Sequence, residues 1–167
     1  MPPTDDLDIR PVHEGDAEAL IELVGSVYAE YPGCVLDLGG VDADLTAPRA
    51  TSDEKGGDLW IVEDPDGEIV ACCGWAPAGP DAIELKRLYV RADARGRRIG
   101  AWLVGQVEQV ARERGADRVV LWSDTRFTAA HRLYERLGYE PTGETRELDD
   151  PSDTTEYRFG RDLAGDA

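Results

Sequence analysis

The stretch Arg87-Leu88-Tyr89-Val90-Arg91-Ala92-Asp93-Ala94-Arg95-Gly96-Arg97-Arg98-Ile99-Gly100 passes from an apolar strand through a turn crowded with arginine and glycine into an amphipathic helix. Six of the 18 basic residues fall between Lys86 and Arg98, against a single acid, Asp93. The chemistry this combination offers is anion binding. The first turn of a helix has N–H groups without intrahelical partners and the positive end of the helix dipole, and glycine lets a phosphate approach the backbone. Arginines in that turn oppose the dipole, so a bound polyanion offsets them; the plain alternative is a solvated helix start. The segment reads as a pyrophosphate cradle. A nucleotide-triphosphate or dinucleotide site is disfavoured, since the chain has neither G-x-G-x-x-G after its first strand nor G-x-x-x-x-G-K-[ST].

The remainder of the chain has the opposite character. A net charge of -17 arises from 35 acids against 18 bases, and Lys55 and Lys86 are the sole lysines beside 16 arginines. The acids are spread over all segments, which reads as a solvated surface adapted to very high salt, where charges are screened over about 3 Å at molar ionic strength. A surface that attracts polyamines or basic peptides is the other reading. A nucleic-acid partner is excluded, because phosphate neutralisation needs an extended basic face.

A length of 167 residues suits one domain over 1–167 with a single substantial core. No apolar run is long enough to span a bilayer, and Met1 to Asp8 lacks signal-peptide character, so the expectation is a cytoplasmic protein of a high-salt organism with no membrane partner. Cys34, Cys72 and Cys73 have no metal-ligand spacing, and no metal site is expected. Cys72 and Cys73 lie in an apolar strand and read as small buried side chains.

The elements that position the cradle follow from apolar periodicity. Leu7 to Val12 alternates as a first strand; Asp16 is a candidate N-cap for a helix carrying Leu20, Ile21, Val24, Val27 and Tyr28 on one face until Pro32. Tyr31 to Asp53 reads as an irregular, mobile segment with room for a short helix. Leu59–Glu63 and Glu68–Trp75 form a hairpin about Asp64-Pro65-Asp66-Gly67, and Ala82–Val90 is the next strand. A helix runs from about Arg98 to Arg114, ended by Gly115. The continuously apolar Arg118–Trp122 fits a central strand covered on both sides. A helix with Ala130, Leu133, Tyr134 and Leu137 on one face follows, then strands at Tyr139–Leu148 and Thr154–Phe159. The expected fold is α/β: a single mixed sheet with helices on both faces.

The arginine–glycine turn between strand and helix resembles the acetyl-CoA signature of the GNAT superfamily of N-acetyltransferases, with Arg95, Arg98 and Gly100 at its marked places and Gly96 as an additional glycine. Arg98 stands where that family usually has glycine. Ala130-His131-Arg132-Leu133-Tyr134-Glu135-Arg136-Leu137-Gly138-Tyr139 is similar to the family's late helix, with Phe127 in the usual asparagine's place, and Glu84–Val90 is a third match in family order. The resemblance implies a mostly antiparallel sheet with a splayed central strand pair, acetyl-CoA as co-substrate, and direct attack by a primary amine of a small molecule or peptide within a ternary complex. A homodimer is a family-level expectation. A non-catalytic acyl-CoA sensor of the same fold is the rival reading.

Acetyl transfer from a thioester requires that the amine lose a proton, that the carbonyl oxygen be polarised, and that the leaving thiolate be protonated. The resemblance assigns the pyrophosphate to the N–H groups of Arg97, Arg98, Ile99, Gly100 and Ala101, with charged contacts from Arg95, Arg97 and Arg98 around Gly96. It gives backbone contacts with pantetheine and the thioester to Leu88 and Val90. Tyr134 is the candidate general acid, its alternative being an aromatic packed beside Leu133 and Leu137. Glu84, eleven residues before Arg95, is the candidate base, its pKa raised by an apolar strand; a solvent-facing strand acid is the alternative. His131 is solvent-facing by helical phase, and His13 lies before the first helix; neither is placed for chemistry. Tyr28, Glu30, Tyr31 and Arg126 are candidates for acceptor binding.

Overall fold

The protein is described by a computed structural model over residues 3–164, so the extreme ends of the expected 1–167 domain, residues 1–2 and 165–167, lie outside the described residues. Seven strands form one sheet: β1 (Asp8–Pro11), β2 (Asp58–Glu63), β3 (Ile69–Pro77), β4 (Ala82–Val90), β5 (Arg118–Asp124), β6 (Glu140–Glu147) and β7 (Thr155–Asp162), in the order β1-β2-β3-β4-β5-β7-β6. Each neighbouring pair is antiparallel except β4–β5. Four helices join them: α1 (Ala17–Tyr28), α2 (Pro48–Glu54), α3 (Ile99–Glu113) and α4 (Thr128–Arg136).

The strands β2 and β3 are apolar on successive residues because both faces of the sheet are covered. Leu59, Ile61 and Cys72 point to one side, where they meet Leu20, Leu23 and Val24 of α1 and Leu45 of the following loop. Val62, Ala71 and Cys73 point to the other, together with Ile83, Leu85, Val119 and Leu121. That face is capped by Ile99, Leu103, Val107 and Ala111, a row of four-residue spacings along α3, and by Tyr134 of α4. Cys72 and Cys73 thus sit in the two opposite cores as free thiols.

The site is positioned by an interruption of pairing. β4 pairs with β5 through Ala82–Leu85 against Arg118–Leu121 and no further. Beyond that point β4 runs on to Val90 beside β3, and β5 runs on to Asp124 beside β7. The cause lies in β4. Gly74 pairs with Lys86 and Cys72 with Tyr89, so Arg87 and Leu88 together oppose the one residue Cys73. This is a β-bulge, with Arg87 at φ 50°, and it bends β4 away from β5.

Three expectations require correction. The segment from Tyr31 to Asp53 is not loose: it folds through a 3-10 turn (Ala43–Thr46) into α2, and it is pinned by Leu45 (0% exposed) and Asp42 (2% exposed). The Asp42 carboxylate accepts hydrogen bonds from the Asp37 N–H (2.9 Å) and the Tyr28 hydroxyl (3.2 Å). Asp16 makes no side-chain cap on α1, because its carboxylate receives Arg10 at 2.8 Å and the His13 N–H at 2.7 Å. The last strand runs to Asp162 rather than stopping at Phe159, since β5 offers it partners as far as Arg118.

One polar latch ties the helical layer to the second half of the sheet. Glu108, 8% exposed on α3, accepts the Tyr139 hydroxyl and the Arg161 guanidinium, each at 2.8 Å. Gly138, at φ 92°, ends α4 and turns the chain so that Tyr139 reaches that carboxylate. Tyr139→Phe keeps the ring contacts and removes one hydrogen bond to a charged acceptor. The expected loss is about 1.5–3 kcal/mol in urea unfolding at pH 7, with an unchanged m-value.

Candidate active site

Two grooves open where β4 parts from β5. The first, of about 640 Å³, lies between the end of β4, the 94–101 turn and α4, with Leu88, Val90, Gly96, Arg98 and Leu133 in its walls. The second, of about 540 Å³, lies on the other side of the sheet between the 34–44 loop, the middle of β4 and the β6–β7 hairpin. Tyr89 and Phe127 line both. Their rings meet edge to face at 6.5 Å, and Tyr28 stands at 5.9 Å from Tyr89. The wall between the grooves is therefore aromatic.

The turn of the first groove is built by two left-handed residues, Gly96 (φ 82°) and Arg98 (φ 63°, ψ 19°). The place where a glycine is usual in the resembling family is thus a place where the backbone favours glycine, and Arg98 occupies it at a cost of about 1 kcal/mol. The Trp102 N–H reaches the Arg98 carbonyl at 3.1 Å as α3 begins. That leaves the N–H groups of Ile99, Gly100 and Ala101, all groove-lining residues, without intrahelical acceptors. Gly100 lets α3 approach α4: a Cβ there would stand 3.1 Å from Leu133 Cδ2.

The arginines of the turn do not converge on one point. Arg98 lines the groove and forms no ion pair among the described residues. Arg95 lines it too, but both its Nη atoms hold the Glu30 carboxylate at 2.5 and 2.6 Å, and its Nε donates to the Val90 carbonyl at 3.1 Å. Arg97 points away, to Thr4 (3.0 Å) and Asp6 (3.1 Å). Arg136 of α4 adds a cation that the sequence did not single out. Val90, expected to offer free backbone groups, has its carbonyl taken by Arg95, whereas Leu88 remains on the groove wall at the bulge.

The four acceptor candidates are separated. Tyr28 lines the second groove, its hydroxyl bonded to Asp42, to Tyr89 (3.3 Å) and to Arg87 Nη1 (3.1 Å). Tyr31 lines the first groove and packs on Phe127 at 4.8 Å. Glu30 belongs to the turn through Arg95. Arg126 lines neither, because its guanidinium closes on Asp124 (3.0 and 2.8 Å) and Thr154 (3.2 Å).

Glu84 faces the second groove, and its surroundings are ionic rather than apolar: Lys86 Nζ lies at 3.1 Å and Arg158 Nη1 at 3.6 Å. Tyr134 is 5% exposed, packed on Tyr139 (6.1 Å) and Phe159 (5.8 Å) with Cys73 and Tyr89 near its phenol. Burial pushes that phenol far above its ordinary value, so it is a fixed proton carrier. No side-chain hydrogen bond of its hydroxyl is formed among the described residues, and Tyr134 lines neither groove, standing behind Leu133 and Tyr89, which do.

Sequence reasoning missed Arg87 and Tyr89. The Arg87 guanidinium joins Asp42 (3.0 Å), Asp44 (2.6 Å) and the Tyr28 hydroxyl, fastening the 37–46 loop to the bulge. The available signal was the pair Lys86-Arg87, two consecutive charges in an alternating strand, which marks a bulge. His131 also departs from expectation. It is half-buried over β5 and β7, with Nε2 at 3.1 Å from Ser123 Oγ and its ring 5.2 Å from Phe159.

Arg87→Met leaves the Asp42 carboxylate buried without its cation. The expected cost is about 3 kcal/mol, and adding Asp42→Asn restores most of it, as read from a double-mutant cycle of urea unfolding. Burial lowers the His131 pKa below its ordinary 6.5. As pH falls, the unfolded chain takes up that proton first, so stability is complete above 6.5 and declines below it until the folded-state value is reached. The urea midpoint of wild type therefore falls between pH 7.5 and 5.5, and His131→Gln flattens the fall.

Comparison with known proteins agrees with this geometry. Residues 26–139 match the model of the Acetyltransferase (GNAT) family. An uncharacterized N-acetyltransferase of Schizosaccharomyces pombe is 31% identical over 116 residues, 69% of this chain and 71% of its own. An uncharacterized N-acetyltransferase of Escherichia coli is 32% identical over 130 residues, 75% of this chain and 77% of its own. Among solved structures, a GNAT-family acetyltransferase from Staphylococcus aureus superposes with a TM-score of 0.79 at 21% identity, covering 94% of this chain and 99% of that one. A putative acetyltransferase from Salmonella typhimurium, solved with its cofactor acetyl-CoA, gives 0.70 at 17% identity over 98% of this chain and 97% of that one. The family's span takes in the last turn of α1, the bulged β4, the arginine–glycine turn and α4, which frame the first groove, and the chain belongs to the GNAT family of acetyltransferases.

Proposed function

We propose that the protein transfers the acetyl group of acetyl-CoA to a primary amine of a small molecule or peptide, by direct attack with both substrates bound. The observation that carries this reading is the meeting of two grooves across the Tyr89–Phe127 wall, at the point where β4 leaves β5. A thioester from one side and an amine from the other reach each other there.

The residues of the first groove fit the donor. The N–H groups of Ile99, Gly100 and Ala101 and the side chain of Arg98 suit a pyrophosphate. Val27, Leu133, Leu137 and Phe127 suit the apolar parts of a pantetheine arm, Phe127 replacing an amide contact by packing. Arg95 orders the turn through Glu30 and Val90 more than it offers free charge. Leu88, on the bulged edge that β5 leaves unpaired, supplies backbone polarity at the thioester.

When bound, acetyl-CoA supplies an activated acyl group and a thiolate leaving group. Glu84, on the second groove, receives the proton the amine sheds, directly or through water. As the new C–N bond forms and the C–S bond breaks, Tyr134 gives its phenolic proton to sulfur; burial keeps the phenol protonated, so the proton is in place when the thiolate leaves.

Tyr134→Phe is expected to lower kcat about 100-fold or more with an unchanged calorimetric Kd for acetyl-CoA, and Glu84→Gln to lower kcat/KM about 100-fold, also with an unchanged Kd for acetyl-CoA. Acetyl transfer is read as release of free CoA thiol, with NAD and ATP as binding controls. If both variants turn over at the wild-type rate, these roles are wrong; if acetyl-CoA binds but no amine is acetylated, the sensor reading takes their place.

A further inference from the structure

We propose that the second groove selects acceptors carrying a carboxylate a few bonds from the reacting amine, and that Lys55 and Lys86 hold that carboxylate; this rests on the acetyl-transfer reading above. The first observation is economy of residue type. Of 18 basic residues only two are lysines, and both line this one groove, Lys55 at the end of α2 and Lys86 from β4. Elsewhere arginines close on acids, as Arg10 does on Asp16 and Glu63, and Arg126 on Asp124.

The second observation is electrostatic. Acids number 35, yet no carboxylate comes within ion-pair distance of Lys55 among the described residues; Lys86 acts on it as a second cation, and Asp44 and Glu84 oppose that effect from beyond ion-pair distance. Partial burial and that repulsion both lower the Lys55 pKa. Lys55 therefore keeps an ammonium that no native carboxylate has claimed, and an anion entering the groove can pair with it.

The third observation selects the kind of anion. Lys86 is held at 3.1 Å by Glu84, two residues earlier on the same strand face, a spacing of about 7 Å along a strand. A zwitterion satisfies both partners of that ion pair at once: its ammonium goes to Glu84 and its carboxylate to the two lysines. Ammonium groups suit such an exchange, since they are point charges on flexible stems, whereas a guanidinium locks bidentately on a neighbouring carboxylate. Val35 and Val41, 49% and 40% exposed, lie at the same groove and leave room for an apolar side chain on the acceptor. An amino acid has this chemistry.

With two lysines, the experiment has two signals. The protein labelled with 13Cε-lysine and saturated with CoA is titrated with the twenty L-amino acids and with their carboxamides. At least one amino acid should move both lysine resonances and raise the Lys55 titration midpoint, while its amide leaves them in place. In turnover, the preference in kcat/KM for that acid over its amide should fall at least tenfold in Lys55→Met. The inference is overturned if acids and amides move the resonances equally, if no amino acid moves them, or if Lys55→Met keeps the preference. Acetylation of carboxylate-free amines with unmoved lysines overturns it as well and leaves acetyl transfer intact. Absence of any acetyl transfer sinks the acetyl-transfer reading, while the resonances still decide the anion site.

Discussion

Parallel pairing between β4 and β5 lasts for four residue pairs and stops at Leu85, and the position of that stop organises the molecule. Buried backbone groups ordinarily find partners, so a strand edge left open inside a fold needs a compensating arrangement. Here the bulge at Arg87–Leu88 turns β4 toward β3, and both grooves occupy the wedge that results. Holding a non-glycine residue at φ 50° costs about 1–3 kcal/mol. The same side chain offsets this by bringing Asp42 and Asp44 against the bulge, so the strain and the anchored 37–46 loop are parts of one arrangement.

Charge acts at two ranges. With a net charge of -17 the surface as a whole repels a polyanion, and the local arginines must reverse that field near the 95–101 turn. They do so in part by proxy. Arg95 and Arg97 spend their charge on Glu30 and Asp6, which fastens the turn to α1 and to the chain's beginning, while Arg98 and Arg136 face the groove. Exposed pairs of this kind add little stability singly. Their contribution is to hold the shape of a turn whose residues Ile99, Gly100 and Ala101 line the first groove.

The order of elements was legible in the sequence because periodicity reports burial: Leu20, Val24 and Val27 on α1, and Ile99, Leu103 and Val107 on α3, lie where helical spacing puts them. The continuous apolarity of Val119–Leu121 likewise reported a strand covered on both faces. What sequence could not report were partners far along the chain. The segment Tyr31–Asp53 read as irregular because the tie from Asp42 to Arg87 spans 45 positions, and Asp16 looked like a cap until Arg10 took it. Arg126 read as a candidate for acceptor binding, although its guanidinium is engaged by Asp124 two residues away. His131 sat on the polar phase of a helical projection, but α4 lies flat enough on β5 and β7 to cover its sides as well as its apolar stripe. The αL turn at Arg98 was hidden because an arginine there gives no sign of the backbone it adopts.

The region that matches the family ends at Tyr139, and the β6–β7 hairpin begins at the next residue. Arg146, Leu148, Asp150, Ser152, Thr154 and Glu156 all line the second groove, and all lie beyond that boundary. The second groove is thus assembled from two separate stretches, residues 28–127 on one side and the hairpin on the other, whereas the first groove is lined by residues 27–137 alone. Substitutions in the hairpin alter the second groove without touching the turn at Arg95–Ala101. The two grooves share the Tyr89–Phe127 wall, yet one of them can be reshaped from the end of the chain while the other is left as it is.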